Sequence, residues 1–156
     1  MLDQNTSAQL KTLLERLESP IEIVATLNGT DKSNQIKELV EEVAALSDQV
    51  TARFDGTNNR APSFGIAKAG EEPRVFFAGL PMGHEFTSLI LALLQVSGYA
   101  PKVSDEVLAQ IKDLGIKSNF DVFVSLSCHN CPDVVQALNL IAINNPGTTA
   151  TMIDGA

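Results

Sequence analysis

Cys128 and Cys131 are the residues of this chain whose types and spacing suit redox chemistry. They are its only cysteines, they lie three positions apart, and Pro132 follows them directly. Before them, the apolar and β-branched run at residues 120–126 (FDVFVSL) predicts a buried strand. After them, apolar residues recur with the spacing of a helix face. The pair is therefore predicted to lie where a strand gives way to a helix.

This junction predicts different roles for the two thiols. Unpaired backbone N–H groups and the positive end of the helix dipole favour a thiolate at Cys128, which is the predicted nucleophile. Cys131, about one turn further on and more deeply packed, is placed to attack a mixed disulfide on Cys128 and release the partner. Pro132 is compatible with the first turn of a helix. A C-x-x-C next to a β/α pattern is typical of a thioredoxin-like redox motif.

Two other interpretations of the cysteine pair stay open. A closed zinc site needs four ligands, and the only other soft candidates are His84 and His129, the second of which lies inside the motif. An inert structural disulfide would close a very short loop and remove little chain entropy. A chain of this size also has enough residues for a core without such a crosslink. The redox interpretation is therefore the favoured one.

Composition narrows the class of protein and its surroundings. The chain has 156 residues, of which 44% are hydrophobic, so it can form a substantial core. It has no apolar run of about 18 residues that would span a membrane, and its polar first 20 residues are unlike a secretory signal. We therefore expect a cytoplasmic protein, where a lone dithiol favours a catalytic role. The net charge of −8 argues against nucleic acid as a partner.

The predicted elements give an α/β fold built from tandem thioredoxin-like units. Residues 1–100 read as helix, strand, helix, three strands and helix, which is one complete unit without cysteines. The series restarts in residues 101–156 with a helix that Ser104 caps, a strand, the C-x-x-C helix and a further strand. The second unit is thus expected to be truncated at its C-terminus, and the chain to be a fragment of a longer protein.

Pro62 supports the alignment of the first unit with this fold. Thioredoxin-like folds place a cis-proline just before the third strand, facing the position of the dithiol, and residues 61–66 (APSFGI) stand at that point. We therefore predict a cis peptide bond before Pro62. Where this unit would carry its own C-x-x-C, the sequence has residues 28–31 (NGTD) instead, so redox chemistry is not expected there.

Two segments carry a resemblance to a known family. Residues 78–94 (AGLPMGHEFTSLILALL) and 125–146 (SLSCHNCPDVVQALNLIAINNP) resemble the N-terminal domain of the flavoprotein subunit of bacterial alkyl hydroperoxide reductase. The resemblance covers the whole chain. It implies that this region passes electrons from a reductase part of the same chain, which binds FAD and NADH, to the disulfide of a peroxiredoxin that reduces alkyl hydroperoxides. It also implies a homodimer for the full-length protein.

The resemblance assigns roles at matching positions. Cys128 and Cys131 match the family's redox centre, and Glu85 matches an acidic residue that the fold brings close to it, where a carboxylate could hold or deliver a proton. The alternative for Glu85 is an acid stabilised by the dipole at a helix N-terminus. No cofactor is expected in the fragment itself, which has no G-x-G-x-x-G motif. The alternative functions are a non-catalytic peroxiredoxin-docking module and a free-standing glutaredoxin-like disulfide reductase.

Overall fold

Helices and strands alternate along most of the chain in a computed structural model, which describes residues 2–115 and 117–155. The helices of the described ranges are α1 (Gln4–Leu14), α2 (Asp31–Ala45), α3 (Phe86–Val96), α4 (Asp105–Lys112) and α5 (Cys131–Asn144), with a 3₁₀ turn at Gly83–Glu85. The strands are β1 (Ile21–Thr26), β2 (Val50–Arg53), β3 (Ser63–Lys68), β4 (Val75–Ala78), β5 (Asn119–Val124) and β6 (Thr149–Asp154).

The six strands form one continuous sheet in the order β2-β1-β3-β4-β6-β5. Strand β1 pairs parallel with β2 and antiparallel with β3, and β3 forms an antiparallel hairpin with β4. Strands β4, β6 and β5 then run parallel to one another. The pairing of β4 with β6 joins the two halves of the chain, so the predicted α/β series is confirmed and both halves share one sheet.

One hydrophobic core joins the helices to the sheet. Alternate residues of β1, namely Ile21, Ile23 and Ala25, are buried, whereas the residues between them are half-exposed. Phe64 of β3 stacks on Phe77 of β4, with 5.3 Å between the ring centroids. Buried residues of α1, α2, α3 and α5 belong to the same cluster as these strand residues. Burial of this apolar area holds the helices at fixed positions over the sheet.

Three helix N-termini show how this chain satisfies its first free N–H groups. The side chains of Asp3, Thr30 and Ser104 each accept a hydrogen bond from the backbone N–H three residues later, at 2.7, 3.2 and 3.2 Å. Such bonds replace the intrahelical acceptor that the first turn lacks. The predicted cap at Ser104 is confirmed.

Two details of the predicted layout are settled by the structure. The peptide bond between Ala61 and Pro62 is cis, as predicted. The strand predicted over residues 120–126 instead ends at Val124, because the backbone turns at Ser125, whose carbonyl accepts a hydrogen bond from the Cys128 N–H at 2.9 Å. Residues 125–130, called the redox loop below, therefore separate β5 from α5. None of the helices in the described part is long and apolar enough to cross a membrane.

Candidate redox site

The two cysteines lie at the N-terminus of α5 and form a disulfide, with 5.5 Å between their Cα atoms. Cys128 belongs to the redox loop and Cys131 is the first residue of the helix. Both side chains are half-buried, and Cys131 also packs against the hydrophobic core. The pair is thus reachable from solvent on one side and fixed to the core on the other, an arrangement that suits disulfide exchange.

The sulfur of Cys128 occupies the role that an oxygen has at the other helix N-termini. It accepts a hydrogen bond from the Cys131 backbone N–H at 3.2 Å, the same three-residue step that Asp3, Thr30 and Ser104 use. Asn130, the residue directly before the helix, makes no capping bond with its side chain. A thiolate at Cys128 would accept this hydrogen bond more strongly than a neutral sulfur, because a bond to an ionised acceptor is stronger.

The 3₁₀ turn Gly83–Glu85, from the first half of the chain, packs against the redox loop. The His84 backbone N–H donates to the Leu126 carbonyl at 3.2 Å. The His84 ring contacts the His129 ring, with 4.4 Å between centroids and an interplanar angle of 55°. Gly83 has a φ of +57°, and a Cβ there would lie 2.9 Å from the Leu126 oxygen, so only glycine permits this approach without strain.

Glu85, the last residue of that turn, is a buried carboxylic acid. Its relative exposure is 0%, and its Oε1 atom accepts a hydrogen bond from the Ser88 hydroxyl at 2.7 Å. Its Oε2 atom is buried and has no hydrogen-bond partner among the described residues. Burial raises the pKa of Glu85, and the bond from Ser88 and the proximity of His84 only partly oppose that rise. Burial disfavours the ionised form, so this group holds its proton to a higher pH than an exposed glutamate.

The helix-capping alternative for Glu85 is not what the structure shows. Glu85 precedes α3, but its side chain makes no capping hydrogen bond to the backbone of that helix. A capping acid at a helix N-terminus is expected to have a lowered pKa, whereas burial raises the pKa of this one. The buried acid is instead held by Ser88, one turn further along α3.

Two features of the site escaped the sequence interpretation. The side-chain amide of Gln136, on α5, donates to the Ser88 hydroxyl at 3.2 Å and so connects the cysteine-bearing helix with Glu85. The contact between the rings of His84 and His129 was likewise not foreseen. No local pattern signals either contact, since each joins side chains more than 40 positions apart.

The zinc interpretation gains no ligands from the fold. Within residues 2–115 and 117–155, no three His, Cys, Asp or Glu side chains are grouped so that they could hold a metal ion. His84 and His129 lie beside the redox loop, but both thiols are used in bonding to each other. A closed structural zinc site needs four ligands, so the arrangement fits a disulfide centre better than a metal centre.

The fold and the cysteine pair together define a thioredoxin-like domain of the thiol–disulfide oxidoreductase class. A protein disulfide oxidoreductase from Aeropyrum pernix shares this fold, with a TM-score of 0.76 over 97% of this chain and 76% of that structure, at 18% identity. The N-terminal domain (NTD_N/C) of alkylhydroperoxide reductase AhpF from Enterococcus faecalis is more similar. It superimposes with a TM-score of 0.88 over 99% of this chain and 80% of its own, at 28% identity.

Curated AhpF sequences from other bacteria match the chain from end to end. The AhpF protein of Pseudomonas putida is 53% identical, and that of Staphylococcus epidermidis 51% identical, over all 156 residues. The chain spans about 30% of the length of these relatives. No family model matches the chain. The resemblance found in the sequence is therefore confirmed: the chain corresponds to the N-terminal domain of AhpF, the flavoprotein of alkyl hydroperoxide reductase.

Proposed function

We propose that this chain relays electrons, as a thiol–disulfide exchange domain, from a reductase part of its parent protein to the disulfide of a peroxiredoxin that reduces alkyl hydroperoxides. The observation that carries this proposal is the Cys128 sulfur at the N-terminus of α5, bonded to the Cys131 N–H. The correspondence with AhpF over the full chain supports the choice of partner. By the same correspondence, FAD and NADH bind to the parent protein, which is cytoplasmic and homodimeric.

The proposed reaction moves two electrons from the dithiol to the partner. The Cys128 thiolate attacks one sulfur of the partner disulfide, which breaks that bond, forms a mixed disulfide and releases the other sulfur as a thiolate. Cys131 then loses its proton and attacks the Cys128 sulfur. This step forms the Cys128–Cys131 disulfide seen here and releases the second partner thiolate. The partner thiolates take protons from solvent.

We further propose that Glu85 receives the proton that Cys131 loses in the second step. The packing of the 3₁₀ turn against the redox loop and α5 supports this role, as does the unpartnered Oε2 atom of the buried acid. General acid–base catalysis of this kind contributes roughly 10²-fold to 10⁴-fold to a rate. Glu85 belongs to the first of the two proposed units, residues 1–100, and the cysteines to the second, residues 101–156. Both units would thus contribute to one site.

A transfer experiment tests the relay. The reduced chain is mixed with an equimolar amount of oxidised peroxiredoxin, and free thiols on each protein are counted by alkylation and mass spectrometry over time. We expect two thiols to appear on the peroxiredoxin as two disappear from this chain. A docking module without redox function would instead bind the peroxiredoxin with no change in thiols. A glutaredoxin-like enzyme would prefer a glutathione mixed disulfide offered in competition.

A further inference from the structure

A chain of side-chain hydrogen bonds connects the cysteine-bearing helix with the buried acid. Gln136, five residues after Cys131 on α5, donates its amide N–H to the Ser88 Oγ atom at 3.2 Å. Ser88, which is fully buried, donates its hydroxyl hydrogen to Glu85 Oε1 at 2.7 Å. Neither the disulfide exchange nor the similarity to known proteins assigns a role to Gln136 or Ser88.

Counting hydrogens fixes the direction of this chain. A serine hydroxyl has one hydrogen to donate and can accept at its lone pairs, whereas a glutamine NH₂ group can only donate. Because Gln136 donates to Ser88, the one hydrogen of the hydroxyl is left for Glu85 Oε1. A proton on Glu85 then belongs on Oε2, the oxygen without a partner among the described residues.

We propose that Gln136 is a positioning residue, which through Ser88 holds Glu85 Oε1 as an acceptor and so reserves Oε2 for the proton that Cys131 gives up. This inference rests on the proposed role of Glu85. The amide N–H polarises the Ser88 hydroxyl and strengthens its bond to the carboxylate. Gln136 thereby stabilises the ionised acid, which is the form able to take a proton. Because Gln136 lies on the same helix as Cys131, this bond also holds the acid in register with the thiol.

The titratable groups around this chain of bonds are few. The 3₁₀ turn packs against α3 and α5. On these three elements the titratable side chains besides Glu85 are His84, Asp133, which is exposed, and Cys131. The adjoining redox loop adds Cys128 and His129. A pH effect that requires both Ser88 and Glu85 is therefore separable from the titration of the two histidines.

The test uses the reduced chain and a small symmetrical aromatic disulfide, whose released thiolate absorbs light. The first equivalent released reports attack by Cys128, and the second reports attack by Cys131 on the mixed disulfide. Both rates are measured from pH 5 to 9, in roughly half-unit steps that resolve the midpoint of the acidic limb. The variants are Gln136→Leu, Ser88→Ala, the double variant of both, and Glu85→Gln.

Gln136→Leu should slow the second release at pH 7 by about three-fold to ten-fold, the size expected for loss of one neutral hydrogen bond. The midpoint of its acidic limb should move to higher pH, because the ionised acid loses support. The first release should be unchanged. In the Ser88→Ala background, Gln136→Leu should have no further effect, because Gln136 acts through Ser88. Gln95→Leu, a half-buried glutamine at the far end of α3, is the matched control and should leave both rates unchanged.

Three results would overturn the inference. Additive effects of Gln136→Leu and Ser88→Ala would show that the amide acts by another route. An equal effect of Gln95→Leu would indicate general loosening of the helix pair. An unshifted midpoint in Gln136→Leu, where Glu85→Gln removes the acidic limb, would refute the role of Gln136 and leave that of Glu85 intact.

Two further variants complete the design. If Glu85→Gln itself leaves the second release unchanged, the role proposed for Glu85 fails and this inference fails with it. Gln136→Glu keeps the shape of the side chain, so it guards against misfolding of the leucine variant. It should also slow the second release, because a carboxylate draws the serine hydrogen away from Glu85.

Discussion

Exchanging either cysteine for serine separates the two steps of the proposed relay. In Cys131→Ser the nucleophile stays in place, so the variant should attack a partner disulfide and then stop as a stable mixed disulfide. A serine hydroxyl is far too weak a nucleophile to displace the bound sulfur. In Cys128→Ser the remaining thiol lies at the first position of α5 and packs against the core. This variant should fail at the first step.

The size of the difference follows from the hydrogen bond at the helix N-terminus. The donor to Cys128 Sγ is the backbone N–H of residue 131, which Cys131→Ser leaves unchanged. A hydrogen bond to a charged group contributes about 1.5 kcal/mol at the lower end of the usual range, and we use that end because sulfur is a weak acceptor. At about 1.4 kcal/mol per factor of ten, the bond favours the thiolate about tenfold. The thiol of Cys128→Ser lacks that donor.

Electrophoresis without reductant provides the assay, after each variant is mixed with oxidised peroxiredoxin. We expect a covalent heterodimer with Cys131→Ser, formed at least about tenfold faster at pH 7 than any with Cys128→Ser. The double serine variant is the control and should give none. A heterodimer trapped by Cys128→Ser and not by Cys131→Ser would reverse the two roles. Equal trapping by both would mean that position at the helix N-terminus does not decide which thiol reacts.

Two predictions concern stability. Burial raises the pKa of Glu85 above its ordinary value of 4.5, so the stabilisation from its protonated form is complete below about pH 4.5 and is lost as the pH rises through the folded-state pKa. Glu85→Gln should therefore lose less unfolding free energy than the wild type between pH 4.5 and neutral pH in urea titrations, and an unchanged pH dependence would contradict this. Gly83→Ala should cost about 1–2 kcal/mol for its positive φ and more for the crowded Leu126 carbonyl. Gly115→Ala, at φ +63° with no described atom within 4 Å, should cost only the first part, and equal losses would refute the crowding argument.

Features that depend on neighbouring residues were predictable from the sequence. Ser104 caps α4 because its side chain reaches an N–H only three residues away, and β3 was expected over the residues where it lies. The cis bond at Pro62 followed from the order of elements around it. The position of Cys128 and Cys131 at the end of a strand and the start of a helix was also correct. In each of these cases the chain contains the whole signal within a few positions.

Features that depend on packing between distant segments were not predictable in this way. Helical spacing shows that Gln136 and Ser88 lie on helices, but it does not show which faces meet, and their bond exists only because α3 packs against α5. The contact of His84 with His129 similarly requires the 3₁₀ turn to lie against the redox loop. The glycine at position 83 could have been a signal, since a positive φ at a close backbone approach favours that residue. Its partner carbonyl, however, lies in another part of the sequence.

The two halves of the chain differ in what they place at the start of the helix that follows their first strand. After β1, the Thr30 hydroxyl caps α2, and the Asn28 amide donates to the Ala61 carbonyl beside the cis-proline. That position is thus filled by polar groups that cannot exchange disulfides. After β5, the Cys128 sulfur accepts the corresponding hydrogen bond. Because the buried acid proposed to serve this sulfur lies in the first half, at Glu85, the cysteine-free half remains necessary for redox chemistry. A cut near residue 100 would separate the thiols from their proposed proton acceptor.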